Sequence, residues 1–355
     1  MYPKIEINLN GIINNVKKMK TLFDEQKLKL SVVVKVLGGN RMIVERLIKE
    51  GIISICDTHV QNLKNFADLE VEKVYIREPG LSEIHDVVKY SDISLNSEIT
   101  SLRALNEEAK KQNKIHKVIL MYELGHIREG ACKEEIFSLL EECIQSDYLE
   151  FYGLGTNPSC YSATMPTIED MEEFILLKKE IEKKYDVSVK IMSGGNSTSY
   201  IMLKNGEIPE EINELRMGES IFFGVVPCVE EEIEGFCQKN FVLKAEVVEL
   251  KDKPSLTKTK PVGLDSCGDV PEEIEDKGIR KKALIAIGKQ DVEVKKIVCR
   301  DKDVINLGGS SDYIILDITD SKKNYKVGDI ISFDVNYSCV LHLMTSNYVE
   351  KEIIA

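Results

Sequence analysis

The chain has 355 residues, room for one large domain and a smaller one, since domains commonly run about 100–200 residues. Its 47 Lys and Arg face 60 Asp and Glu, a formal charge of −13, which argues against the basic face of a nucleic-acid binder, and no run approaches the roughly 18–20 apolar residues of a membrane span. The first residues lack the apolar segment of a secretory leader, and the nine cysteines are scattered, odd in number and never spaced C-x-x-C, which fits reduced thiols of a cytoplasmic protein better than a disulfide framework or a zinc site.

Short β-branched runs alternate with helical periods. Strands are expected at Ser31–Val36, Ile52–Cys56, Lys73–Arg77, Asp92–Leu95, Lys117–Tyr122, Leu149–Leu154, Ser188–Met192 and Ser220–Phe223. Apolar residues at i, i+3 and i+4 mark helices between them. Asn10 opens the first, with Ile12, Ile13, Val16 and Met19 on one face. Ser97 is the expected cap of the helix carrying Leu102 and Leu105, and Thr167 with Asp170 reads as a capping box before Phe174, Leu176 and Leu177. Eight near-continuous apolar strands separated by helices imply a parallel sheet covered on its faces, which closes as a TIM-like (β/α)8 barrel. An open doubly wound sheet is the alternative, but no G-x-G-x-x-G follows the first strand.

After Cys228 the texture becomes β-rich. Phe241–Leu250, Ala283–Ile287, Ser311–Ile318, Asp329–Val335 and Ser346–Ile353 read as strands, with turns such as Lys326–Asp329 between them. The acidic patch Glu230–Glu234 reads as a solvated linker. The expected organisation is therefore an N-terminal strand, 1–10, that packs with the β-rich domain, a barrel over 11–228, and the C-terminal β-rich domain over 229–355.

Lys35 is the sharpest chemical feature, closing the run Ser31-Val32-Val33-Val34-Lys35-Val36. A lysine on a buried strand loses hydration, which favours the free amine that forms Schiff bases. The bland alternative is a snorkelling side chain or one paired with a carboxylate. Met192-Ser193-Gly194-Gly195-Asn196-Ser197-Thr198-Ser199 follows the seventh strand, where glycines and hydroxyls suit a phosphate and where eight-stranded barrels commonly bind one. An ordinary helix-capping turn is the competing reading. Arg216, in Leu215-Arg216-Met217-Gly218-Glu219-Ser220, could bond a ring nitrogen or carboxylate, or simply pair with Glu214. Gly218 and Glu219 could add backbone donors to the same phosphate. Arg128 after the fifth strand suits a substrate carboxylate or a structural ion pair. His126 beside it reads as a solvated loop histidine. The five histidines have no metal-ligand spacing, and no metal is assigned.

Taken in order, these residues resemble the alanine-racemase-like, fold-type III enzymes that use pyridoxal 5′-phosphate. Ile5–Asn10 with Ile13-Asn14-Asn15 resembles their first strand and helix, and Val33-Val34-Lys35 resembles the strand of the cofactor lysine. Gly125-His126-Ile127-Arg128 is similar to the turn whose arginine contacts the substrate side. Asn196-Ser197 resembles the phosphate-binding pair, and Leu215–Gly218 the segment whose arginine faces the pyridine nitrogen and whose glycine amide holds phosphate. Ser311-Asp312 is similar to the substrate-facing loop, and Thr345–Tyr348 to the strand whose tyrosine, here Tyr348, reaches the phosphate. The resemblance spans nearly the whole chain. It implies an amino acid racemase, a homodimer with shared active sites, and Lys35 as one of two bases on opposite faces of the Cα–H bond.

A narrower likeness, carried by Gly155–Cys160, Gly263–Ser266, Ile287–Val292 and Asp317–Lys322, points to members acting on ornithine. Alanine, lysine or serine are alternative substrates; a decarboxylase, an aldolase or a non-catalytic cofactor-binding protein are alternative functions. The family's catalytic tyrosine is missing from the aligned stretch Val262–Cys267, so Asp265, then Cys267, is the expected second base. Asp265, Asp291 and Asp312 are candidates for a side-chain ammonium. The strand-five position that is a lysine in many alanine racemases is Met121.

Overall fold

The computed structural model describes residues 1–265, 267–270 and 275–354. Contacts divide the chain into two compact units, Met1–Gly11 with the chain from Lys239 onward, and Ile12–Gln238. The division falls ten residues beyond the expected 228/229 boundary. The stretch between folds with the barrel: β10 (Val225–Val226) and β11 (Glu231–Glu232) form a small antiparallel pair, and Ile233 beyond it is fully buried. The acidic patch is therefore a hairpin arm whose glutamates face water while its isoleucine anchors it.

The first strand, β1 (Lys4–Asn8), is followed directly by α1 (Leu9–Glu25). The helix begins a residue before Asn10, and Asn8 accepts the Gly11 amide at its start (3.0 Å). The barrel then alternates strand and helix: β2 (Lys29–Val33), α2 (Arg41–Lys49), β3 (Ser54–Asp57), α3 (Val60–Lys64), β4 (Glu72–Tyr75), α4 (Ile84–Tyr90). It continues with β5 (Ile93–Asn96), α5 (Ile99–Lys111), β6 (His116–Met121), α6 (Lys133–Gln145), β7 (Leu149–Gly155) and α7 (Ile168–Tyr185). It ends with β8 (Ile191–Ser193), α8 (Tyr200–Asn205), β9 (Glu214–Met217) and α9 (Glu219–Phe223). Strands β2 to β9 close into a parallel barrel through the β2–β9 pairing. Val33, Cys56, Val74, Ile93, Leu95, Ile119, Met121 and Ile191 pack together as its filled interior, the packed-core form of an eight-stranded barrel.

Three expectations are corrected here. The eighth strand is Glu214–Met217, not Ser220–Phe223, which forms α9; the short run Ile221-Phe222-Phe223 is buried on all sides, and buried helix and buried strand look alike over so few residues. Ser97 does not cap α5. Its amide and hydroxyl are held by Glu78 (2.6 and 3.0 Å), and Glu98 caps by accepting the Thr100 amide (3.0 Å). Thr167 does cap α7 in a reciprocal pair with Asp170, but Leu176 is 64% exposed while Phe174 and Leu177 are buried.

The other unit is an antiparallel β structure. Its strands are β12 (Phe241–Pro254), β13 (Ile279–Ile285), β14 (Val298–Cys299), β15 (Ile305–Gly309), β16 (Ile314–Asp317) and β17 (Ile330–Asp334). β12 pairs with both β13 and β17, β13 with β16, and β16 with β15. A helix, α10 (Tyr337–Thr345), precedes β18 (Glu350–Ile354). Part of the expected strand at Ser346–Ile353 is thus the exit from that helix, because Asn336 caps it through the Cys339 amide (3.1 Å). β1 lies between β12 and β18, antiparallel to one and parallel to the other.

Candidate active site

The C-terminal ends of β2, β8 and β9 are neighbours by strand order, and they bring the barrel candidates together. β2 stops at Val33, and Lys35 sits in the tight helical turn Lys35–Leu37, half-buried. It stands at the barrel mouth, not on the strand itself. β9 pairs with β2 so that Ser31 faces Arg216 and Val32 faces Met217. The backbone of Gly218 is drawn so close that a Cβ there would lie 3.0 Å from the Val33 Cβ.

Ser197 is the hub between β8 and β9. Its hydroxyl oxygen accepts the amides of Gly218 (3.0 Å) and Ser220 (3.2 Å), and the Ser220 hydroxyl lies 3.1 Å away. Asn196 accepts the Thr198 amide and hydroxyl (2.9 and 3.0 Å) and donates to the Pro158 carbonyl (2.6 Å), which sets the loop's backbone. Gly195 has a φ of 150°, and a Cβ there would strike the Ser199 hydroxyl at 2.5 Å. Among the described residues, the Ser199 hydroxyl and the Thr156 hydroxyl are buried with no partner. These two hydroxyls are buried donors without an acceptor, a feature that a bound oxyanion would satisfy.

Arg216 is 4% exposed. Its guanidinium donates to the Ser193 hydroxyl, the Ser193 carbonyl (3.4 Å) and the Thr156 carbonyl (2.5 Å). Among the described residues it has no ion-pair partner. Glu214 does not supply one: it is taken by Lys29 (3.2 Å) and the Ser31 hydroxyl (2.6 Å). Burial works to raise the Glu214 carboxyl, yet Lys29 and Ser31 hold it below its ordinary value. Met121 lies nearby, since a Cβ on Gly155 would meet the Met121 sulfur at 2.7 Å and Arg216 Nη1 at 3.8 Å. A buried guanidinium whose acceptors are all neutral oxygens suits a neutral ring nitrogen as a further acceptor.

Glu219 contributes more than a backbone group. Burial pushes its carboxyl up to about 7, against the pull of the Lys35 charge. The sequence gives no sign of this, because Glu219 follows its glycine as an ordinary first-turn helix residue. Two other buried titratable groups belong to the frame. Asp57 at the end of β3 is pushed up to about 6 by burial and accepts the His59 amide and the Asn62 side chain. His116, at the opposite strand end, is pushed down to about 3 by burial and bonds Ser94 (2.9 Å).

Arg128 is exposed, and its guanidinium is paired with Glu129. Glu129 in turn accepts the Asn157 side chain (2.8 Å). His126 is 8% exposed rather than solvated. Glu123 collects the amides of His126, Ile127 and Arg128, and this folding of the loop onto one carboxylate carries the imidazole inward to Thr164 (3.1 Å).

In the β unit, Asp265 is exposed and ion-paired to Lys289 (2.6 Å). Lys289 and the amides of Asp269 and Cys267 hold its carboxyl down at about 2, a poor base. Cys267 is exposed, and its neighbour Ser266, part of the same expected segment, lies outside the described residues. Asp312 is exposed and accepts the Ser311 hydroxyl (2.6 Å). Asp291 is buried, accepts the Ser346 hydroxyl (2.6 Å), and borders a shallow cavity with His342, Thr345 and Tyr348. Tyr348 is 71% exposed.

The family model "Alanine racemase, N-terminal domain" matches residues 7–226. The chain is 41% identical to an ornithine racemase of Acetoanaerobium sticklandii over 355 residues, all of both proteins. It is 36% identical to a lysine racemase of Thermotoga maritima over 353 residues, covering 99% of this chain and 98% of the relative. Its fold matches that of an alanine racemase from Streptomyces lavendulae with a TM-score of 0.78 at 14% identity, covering 99% and 97% of the two chains.

Proposed function

This chain belongs to the alanine racemase family, and from that premise we propose that it interconverts L- and D-ornithine. It is an amino acid racemase that depends on pyridoxal 5′-phosphate. The residues present fit that cofactor: a lysine at the barrel mouth, buried hydroxyls without partners, converging amides, and a buried arginine with no carboxylate. Lys35 would hold its carbonyl carbon, Ser197, Asn196 and the amides of Gly218 and Glu219 its phosphate, and Arg216 its ring nitrogen. Tyr348 is the further phosphate contact that the resemblance implies. Bound there, the cofactor supplies an electron sink that makes the substrate Cα–H acidic.

The chain's own residues do the rest. The Lys35 amine would take the Cα proton on one face. Glu219, beside Lys35, tunes the charge the amine sees. Arg216 stays protonated, donates hydrogen bonds, and delivers no full proton, which limits negative charge build-up toward side reactions. Arg128 reaches the substrate carboxylate by exchanging its bond to Glu129. Ser311 and Asp312 face the substrate, and Asp312 holds the side-chain ammonium, since it is exposed with one neighbouring hydroxyl as partner. Asp291 is committed to Ser346, and Asp265 to Lys289. The protein acts in the cytoplasm as a homodimer with shared active sites. Its negative charge suits a cationic substrate.

The observation that carries the ornithine reading is the full-length likeness to the ornithine racemase, above that to the lysine racemase. Single enantiomers of ornithine, lysine, alanine and serine, incubated in deuterated water and resolved by chiral chromatography, test it. Deuterium in both enantiomers of ornithine with alanine inert is expected. Turnover of alanine alone, or loss of carbon dioxide, would overturn it.

A further inference from the structure

A base that takes the Cα proton must lose it before the next turnover in the same direction, so Lys35 needs a way to discharge. Most carboxylates of the barrel mouth are engaged. Asp57 accepts the His59 amide (2.9 Å) and the Asn62 side chain (3.1 Å), and Glu78 accepts the Ser97 amide (2.6 Å). Glu123 collects its loop's amides, and Glu129 is taken by Arg128 and Asn157. Among the described residues, the Glu219 carboxyl makes no hydrogen bond or ion pair, and neither does the Lys35 amine.

Backbone pairing sets these two side chains beside each other within the barrel. Val32 of β2 is in register with Met217 of β9; Lys35 follows the one and Glu219 the other as the chain leaves the strands. Gly218 closes the gap, since a Cβ there would lie 3.0 Å from the Val33 Cβ and 3.1 Å from its carbonyl oxygen. Both side chains are half-buried, and the Glu219 carboxyl feels the Lys35 charge. Arg216 on β9 is turned to Ser193 and Thr156. The other titratable group acting on Glu219 is Glu230, exposed in the turn between β10 and β11. That hairpin follows α9 and is tied back to it by the Ile233 amide on the Gly224 carbonyl (2.8 Å), while Cys228 in its turn meets the Ser159 hydroxyl (3.2 Å). Glu219 therefore has one ionisable neighbour at the mouth and one in water.

We propose that Glu219 is the proton relay of Lys35, passing to water the proton that Lys35 takes from the substrate. The proposal rests on the racemase reading above and is independent of which group serves the opposite Cα face. In the step, an N–H bond of the Lys35 ammonium breaks and an O–H bond forms on the Glu219 carboxylate. That O–H bond then breaks toward water, and no oxidant or co-reactant is consumed. Burial raises the Glu219 carboxyl to about 7, where it both accepts and releases a proton near neutral pH.

Glu219→Gln in the full-length holoenzyme tests this, with α-deuterated ornithine in ordinary water. Racemisation should fall about 10- to 100-fold while the visible absorbance of bound cofactor persists. Loss of deuterium from recovered substrate, relative to racemisation, should fall severalfold, because Lys35 then returns the deuterium it took. Added formate, a small carboxylate, should raise the variant's rate by about threefold or more and leave the parent unchanged. In the cofactor-free proteins, infrared difference spectra of parent against Glu219→Gln should show a protonated carboxyl band that disappears as pH rises through about 7. Lys35→Met should move that midpoint upward, since the lysine charge is what pulls it down. Deuterium loss that keeps its parental ratio to racemisation would overturn the proposal, as would a midpoint indifferent to Lys35→Met. A parent that racemises no amino acid would instead remove the racemase reading, whereas a racemising parent with an unaltered Glu219→Gln would remove the relay alone.

Discussion

The barrel and the β unit bring their polar groups together by different means. In the barrel, Lys35, Ser197 and Gly218 stand at the ends of three strands that are neighbours by pairing, so chain position relative to a strand end already places each one at the mouth. In the β unit, Lys289 meets carboxylates 24 and 20 residues away in sequence, on loops joined by ion pairs rather than by a repeating register. A parallel barrel places residues at its mouth by their position in the local sequence, whereas the contacts of an antiparallel β unit depend on long-range pairing.

Removing the barrel's reactive amine should produce the largest effect. Lys35→Ala is expected to lower racemisation by about 10³-fold or more, the combined loss of a covalent anchor and a base, and to abolish the visible absorbance of bound cofactor. The β unit should be untouched, so the far-ultraviolet circular dichroism should match the parent. A Lys35→Ala protein that still racemised ornithine would remove the barrel mouth as the reaction centre.

That contrast also explains what the sequence makes readable. The alternation of strands and helices, the closed barrel and the Asn196-Ser197 loop follow from local periodicity and spacing. The eighth strand does not, because Glu214 and Arg216 bury charged side chains in the barrel and so break the apolar pattern that marks its neighbours, while the apolar run Ile221-Phe222-Phe223 of α9 imitates a strand. The half-exposed position of Lys35 is lost for a related reason: the apolar run continues through Val36 and Leu37, both buried, after the backbone has already turned. Asp265 looked available because its partner lies 24 residues on, and no local pattern announces that pair.

A smaller change probes the seam between β8 and β9. Ser197→Ala deprives the amides of Gly218 and Ser220 of their acceptor, leaving buried donors that cost about 1–3 kcal/mol when unpaired. Thermal melting of the cofactor-free protein should report that loss, and equilibrium dialysis should show cofactor affinity weakened by about tenfold or more. An unchanged affinity would separate the serine from the cofactor cradle and leave it a packing residue of the barrel.

The finest test concerns Glu219, whose carboxyl is raised by burial from 4.5 to about 7. A group raised on folding binds its proton more tightly in the folded state, so its contribution to stability is complete below about 4.5 and is lost as pH rises through 7. Over that window the cofactor-free parent should lose roughly 1–3 kcal/mol relative to Glu219→Gln, which carries no titratable proton. Urea unfolding at pH 5 and pH 8 measures the difference directly. The two proteins should diverge as pH rises, with the glutamine variant gaining the advantage. Parallel behaviour would mean that the Lys35 ammonium holds the carboxylate ionised throughout, tying the pair together as a permanent ion pair at the mouth. Divergence instead identifies a carboxyl that is neutral beside the reactive amine at moderately acid pH and charged above it, unlike Asp265 of the β unit, which its ion pair with Lys289 holds down at about 2.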